Sequence, residues 1–168
     1  MSPFRRRAPR STVKQPIDPA AARGVAIGLL ARRDYASGEL RGRLQRKGFG
    51  SEVVESTLAE LVEERALDDA RYAANYVSYS AARGQGPLRI AADLRALDLP
   101  SGLIEAALTA GPDWRALAAE VRNRKFGPQA PADWPEKARQ ARFLQYRGFS
   151  SDHIRAATGA DLELDPQT

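Results

Sequence analysis

One block of sequence returns twice, each time after fifty residues. Lys47-Gly48-Phe49-Gly50-Ser51 is followed by Leu97-Asp98-Leu99-Pro100-Ser101 and then by Arg147-Gly148-Phe149-Ser150-Ser151. Leu44, Leu94 and Leu144 keep the same register, as do Phe49, Leu99 and Phe149, and Val54, Ile104 and Ile154. A fixed period of this length is the mark of a stacked array of small units. The retained residue types describe one local design: a leucine packs a helix, an apolar residue closes the turn, and a serine caps the next helix. One unit of this size buries too little to be stable alone, so neighbours must stack. The expected architecture is all-α, with three tandem three-helix units at residues 17–67, 68–110 and 111–159. A basic tail, 1–16, precedes them and an acidic tail, 160–168, follows.

The helical period runs through the body. Asp18-Pro19 is a start signal, with Val25, Leu29 and Leu30 as the core face of a helix reaching Arg33. Ser37 is placed to cap a helix over Glu39–Lys47, with Leu40 and Leu44 inward and Gly48 closing it. Ser51 opens a third helix whose inward residues are Val54, Leu58, Leu61 and Val62. In the second unit, Asp68 and Asp69 suit a helix start, and Tyr72, Tyr76 and Tyr79 share one face that reads as core. Gly84 fits the position just past that helix, Pro87 the first turn of the next, and Ile90, Leu94 and Leu97 its buried side. The third unit departs most. Its first helix is expected to run from Asp113-Trp114 to near Lys125, followed by a proline-rich link over 126–135. Gln140 stands where Leu40 and Ile90 stand, so Ala138, Ala141 and Phe143 are expected to build the inward face.

Charge matters here by position. The net charge of +5 lies wholly in residues 1–15, where Arg5, Arg6, Arg7, Arg10 and Lys14 meet no acid; elsewhere 21 basic residues balance 21 acidic ones. The second helix of every unit is nonetheless the basic one. Arg41, Arg43, Arg46 and Lys47 outweigh Glu39 by three charges, Arg89 and Arg95 outweigh Asp93 by one, and Arg139, Arg142 and Arg147 meet no acid. Arg83 sits close to the break before the second of these helices. If the units stack alike, these helices line one side as a basic stripe, while the acidic third helix of unit 1 (Glu52, Glu55, Glu60, Glu63, Glu64) faces elsewhere.

Chemistry for catalysis is thin. The only histidine, His153, takes the place of Val53 and Leu103 and reads as a packing residue. There is no H-E-x-x-H, Walker A or G-x-S-x-G motif, and Gly84-x-Gly86 follows a helix rather than the strand a dinucleotide loop requires. No metal or cofactor is implied. Cysteine is absent, and the longest apolar run, Val25 to Ala31, is far too short for a membrane span. The expectation is a soluble, cytoplasmic, monomeric protein that is not an enzyme.

Several stretches together resemble the RecX family, the regulators of the RecA recombinase. They are Leu67-Asp68-Asp69-Ala70-Arg71-Tyr72-Ala73 and Gly86-Pro87-Leu88-Arg89-Ile90, with Leu40-Arg41-x-x-Leu44 through Lys47-Gly48-Phe49. Lys137-Ala138-Arg139, Phe143-Leu144 and Arg147-Gly148-Phe149 complete the set, and the likeness covers about residues 25–157. The resemblance implies a curved, elongated body that binds in the groove of RecA–single-stranded-DNA filaments and suppresses their ATPase, strand-exchange and co-protease activities. It implies contact with RecA and weak contact with single-stranded DNA, with double-stranded DNA left open. The charge pattern, rather than the likeness, supplies the expected contact residues: Arg41, Arg43, Arg46, Lys47, Arg83, Arg89, Arg95, Arg139, Arg142 and Arg147, with the five basic residues of the N-terminal tail, which lies outside the matched stretches, as added DNA contacts. The competing reading is a stand-alone helix-turn-helix-like DNA-binding protein. Against it, the basic helices offer only Gln45, Gln140 and Gln145 as base-reading amides.

Overall fold

A computed structural model describes residues 18–160, and among these the chain forms nine helices and no strand. Unit 1 holds α1 (Pro19–Leu30), α2 (Ser37–Arg46) and α3 (Ser51–Glu63); unit 2 holds α4 (Asp69–Ala82), α5 (Pro87–Arg95) and α6 (Ser101–Thr109); unit 3 holds α7 (Trp114–Phe126), α8 (Trp134–Arg147) and α9 (Ser151–Thr158). In each unit the first and third helices make the broadest contact and the second helix packs against both.

Each unit has its own core. Leu40, Leu44, Val54, Leu58 and Leu61 fill the first; Val77, Ile90, Leu94 and Ile104 the second; Ala118, Ala141, Leu144 and Ile154 the third. Two residues cross a boundary. Ala36, the residue before α2, is buried in the second core, and Trp114, the first residue of α7, packs against it while its indole N–H donates to the Leu108 carbonyl at 3.1 Å.

The turn after the second helix is the repeated device. Residues 48, 98 and 148 all take left-handed φ, at 93°, 60° and 89°. The amides of Phe49, Leu99 and Phe149 each reach back to the carbonyl of Leu44, Leu94 and Leu144, at 3.3, 3.3 and 3.1 Å. This is the Schellman closure, with the apolar residue after the turn buried against the helix it ends. Asp98 is one of the few non-glycine types that tolerate such a backbone.

Several sequence expectations shift by one residue or one face. Ser37, Ser51 and Ser101 do not cap: they are the first helical residues, and Ala36, Gly50 and Pro100 stand at the caps without a side-chain bond. Only Ser150, one position earlier, caps α9, in a reciprocal box with His153. That imidazole accepts the Ser150 N–H at Nδ1, and burial lowers its pKa, which favours the neutral ring that can accept. α1 ends at Leu30, and its fully buried residues are Ala22 and Ala26, with Val25, Leu29 and Leu30 half-buried. Val62 is exposed, and so is Tyr79, while Tyr72 and Tyr76 stack at 6.2 Å over the second core. Gln140 does point inward: it accepts the Nε–H of buried Arg122 at 2.8 Å, a polar pair where the other units place an aliphatic side chain.

Units meet by close backbone approach. The amides of Gly86 and Leu88 donate to the carbonyls of Arg147 and Gly148 at 2.7 and 3.0 Å, so the first turn of α5 is capped by the end of α8. A Cβ on Gly86 would overlap the Gly148 carbonyl, and one on Gly148 would lie 2.7 Å from the Arg89 nitrogen. One unit back, a Cβ on Gly38 would overlap the Leu97 carbonyl and lie 2.8 Å from Asp98 Cβ. At Gly48, the same turn in unit 1, a Cβ meets nothing within 4 Å. Gly48→Ala should therefore cost about 1 kcal/mol, from its left-handed backbone alone. Gly148→Ala should cost roughly 1–3 kcal/mol more by overpacking the junction. Chemical denaturation of both variants checks this; equal losses would mean the junction is not tightly packed.

Candidate functional site

The two junctions join the basic helices in series. The C-terminal end of α8 abuts the N-terminus of α5, and the turn after α5 abuts the N-terminus of α2. Carbonyl ends thus face amide ends, an arrangement in which the helix dipoles agree in sign. The helices carrying Arg139, Arg142, Arg147, Arg89, Arg95, Arg41, Arg43, Arg46 and Lys47 follow one another along the molecule. Arg83 stands at the joint between α8 and α5, where its carbonyl accepts from Arg147 Nη1 at 3.2 Å.

These cations are not equivalent. Arg41 is committed: Nε and Nη2 donate to both carboxylate oxygens of Glu55 at 2.6 and 3.1 Å, and the bond holds the Glu55 carboxyl below its usual range. Arg139 donates to Glu136 at 2.8 Å, and it and Gln140 together lower that carboxyl likewise. Arg43 lies 4.0 Å from Glu39, which is also held by Arg33. By contrast Arg46, Lys47, Arg83, Arg89, Arg95, Arg142 and Arg147 are exposed, and among the described residues none has a carboxylate within 4.0 Å. Asp93, the one acid in α5, accepts from the Tyr76 hydroxyl at 3.1 Å. Arg5, Arg6, Arg7, Arg10 and Lys14 lie outside the described residues.

Both joints open into clefts. Arg46 lines one of about 220 Å³ with Gly38, Leu97 and Asp98. Arg83 and Arg147 line another of about 200 Å³ together with Arg124, Lys125 and Phe143. Arg124 and Lys125 were not among the sequence candidates; their signal is the basic last turn of α7, which follows Arg122 and Asn123. A further cleft, of about 490 Å³, is lined by small and apolar residues such as Ala74, Val77, Ala107 and Leu117, none of them titratable. Among the described residues no group of three His, Cys, Asp or Glu side chains is placed to hold a metal, and no helix is long and apolar enough to cross a membrane.

Fold and surface together define a class: a tandem array of three-helix modules whose second helices carry largely uncommitted arginines. Family models for the first, second and third three-helix domains of RecX match residues 22–61, 68–108 and 113–158. Regulatory protein RecX of Halorhodospira halophila is 45% identical over 146 residues, covering 86% of this chain and 91% of the relative. The protein of that name from Pseudomonas syringae pv. tomato is 42% identical over 137 residues, covering 81% and 88%. The chain belongs to the RecX family of regulatory proteins. Its fold is also that of two crystal structures. A regulatory protein RecX matches with a TM-score of 0.70 at 23% identity, over 83% of this chain and 70% of its own. RecX from Lactobacillus salivarius matches at 0.73 and 16%, over 83% and 93%.

The Arg41–Glu55 bridge makes a checkable statement about this surface. Glu55→Gln releases an arginine from a fixed bond as well as raising net charge by one, whereas Glu63→Gln raises charge by the same amount at an exposed residue outside the observed ion pairs. Glu55→Gln should elute from heparin at higher salt than Glu63→Gln. Identical elution would mean that the bridge does not withhold Arg41.

Proposed function

We propose that the chain is a monomeric, cytoplasmic, non-enzymatic inhibitor of RecA, seated in the groove of RecA–single-stranded-DNA filaments, where it suppresses ATP hydrolysis, strand exchange and co-protease activity. Family membership supports a regulatory role. The observation that carries the finer reading is the head-to-tail series of α8, α5 and α2 with its uncommitted arginines. A filament groove is long and lined by negative charge from the DNA it carries. A binder suited to it needs many modest cationic contacts spread over an extended body rather than one deep pocket. The stand-alone base reader is not favoured: Gln140 is buried and bonded to Arg122, which leaves only Gln45 and Gln145 exposed on these helices.

Arg43→Glu with Arg46→Glu should leave the thermal melt nearly unchanged, since both side chains are exposed. It should weaken inhibition of RecA ATPase, and the difference from wild type should shrink as salt rises. The control is Glu52→Lys with Glu63→Lys on α3, which should matter less. A folded Arg43/Arg46 variant that inhibits as well as wild type removes unit 1 from the contact surface; equal failure of both variants shows that α2 is not the contact face.

We also propose that Arg5, Arg6, Arg7, Arg10 and Lys14 contact phosphates. Deleting residues 1–15 should then lower the log–log salt slope of single-stranded DNA binding by up to about 3.5, at roughly 0.7 per phosphate. An unchanged slope would make the tail a bystander.

A further inference from the structure

The cleft at the joint of units 2 and 3 has features the rest of the basic line lacks. Four cations converge on it from three elements: Arg83 after α4, Arg124 and Lys125 at the end of α7, and Arg147 at the end of α8. Arg124 carries an exposed bond to Glu120 at 2.5 Å, an i,i+4 pair of small worth on a solvated surface. The other three have no carboxylate within 4.0 Å among the described residues.

What holds the two central guanidiniums is neutral. Arg83 Nη1 donates to the Tyr79 hydroxyl at 3.0 Å, and its guanidinium lies 5.4 Å from that ring. Arg147 donates to the Arg83 carbonyl at 3.2 Å and lies 5.4 Å from the Phe143 ring. Gly84 makes the floor: its left-handed backbone (φ 78°) leaves Val121 and Arg147 close where a side chain would stand. The charges are therefore positioned without being neutralised, which is preorganisation for an anion. At about 200 Å³ the cleft is below the roughly 300–1,000 Å³ of small-molecule sites. A phosphodiester fits that scale. Tyr79, bonded through its hydroxyl to Arg83, stands beside it 63% exposed. A duplex hides its base faces, whereas a single strand presents them to aromatic side chains.

We propose that this cleft binds one backbone phosphate of single-stranded DNA between Arg83, Arg124, Lys125 and Arg147, with an adjoining base stacked on Tyr79. The proposal rests on reading the basic line as facing nucleic acid and adds to it a defined nucleotide subsite, contributed partly by α7.

The test is fluorescence anisotropy on the full chain over a salt series, using labelled oligothymidylate of about twenty nucleotides and a duplex of equal length. Arg124→Ala with Lys125→Ala should weaken oligothymidylate binding about tenfold. It should also lower the log–log slope by about 0.7, the release of one phosphate. Tyr79→Leu should cost about fivefold on the single strand and much less on the duplex. Melting curves confirm that both variants fold. Wild-type affinity and slope in the folded Arg124/Lys125 variant overturn the subsite, and an equal Tyr79→Leu loss on both probes overturns its assignment to single strands. RecA ATPase inhibition is read separately. A variant that keeps oligothymidylate binding but loses inhibition assigns the cleft to a protein partner, which overturns this proposal and leaves the proposed function standing.

Discussion

Everything in this array depends on main chain meeting main chain at two joints. Helices α5 and α2 begin with amides that their own helices cannot satisfy. At the second joint those of Gly86 and Leu88 find the carbonyls that end α8, so the donor and acceptor deficits of two helix termini cancel across a unit boundary. This works only if nothing larger than hydrogen projects from Gly86 and Gly148. The first joint solves the same problem differently. There the turn carries Asp98, whose Cβ needs room, and the glycine stands on the facing helix as Gly38. The Ser37 amide donates to Asp69 Oδ1 at 2.7 Å, so a unit 2 carboxylate supplies the acceptor. One consequence follows from both: the second helices run in series.

The repeat was legible because it is a one-dimensional signal. Leucines, turn residues and apolar closers fifty residues apart state the unit, and the left-handed turns at 48, 98 and 148 bear the equivalence out in backbone geometry. Caps were misread because serine was the conspicuous residue, yet an N-cap is defined by the extended backbone before the helix. In units 1 and 2 that position falls to Gly50 and Pro100. Inward faces were misread where a helix is short or its core is made of alanine, as at Ala22 and Ala26 of α1, since alanine adds little to a hydrophobic pattern. The basic helices could be read from composition. Which of their arginines are spent could not, because Glu55 lies fourteen residues from Arg41, on another helix, and only the packing of α2 on α3 brings them together.

The third unit shows a polar solution to a core position. Arg122 is 5% exposed with no carboxylate beside it; its hydrogens go to Gln140, Asn123 and the Gln129 carbonyl. Gln140 in turn donates to Glu136, so the nearest acid acts through an amide. A buried charge is tolerated only when its donors are satisfied. Here the last of those acceptors comes from the link, which the structure narrows from the expected 126–135 to 127–133, and which thus has a structural duty: it closes over the arginine paired with Gln140.

The same economy of neutral contacts separates two groups of arginines on the surface. An exposed ion pair contributes only about 0.2–1 kcal/mol, so carboxylates are weak tethers that nevertheless cancel a charge locally. Tethering by a phenol, a ring face or a backbone carbonyl restrains the guanidinium comparably and leaves its field intact. Arg41 and Arg139 are held in the first way, Arg83 and Arg147 in the second. The second group sits at the joint, where the unit boundary already supplies a carbonyl and a glycine floor. The backbone that splices α8 to α5 thus also orients the charges beside it, since the Arg83 carbonyl at the joint accepts from Arg147.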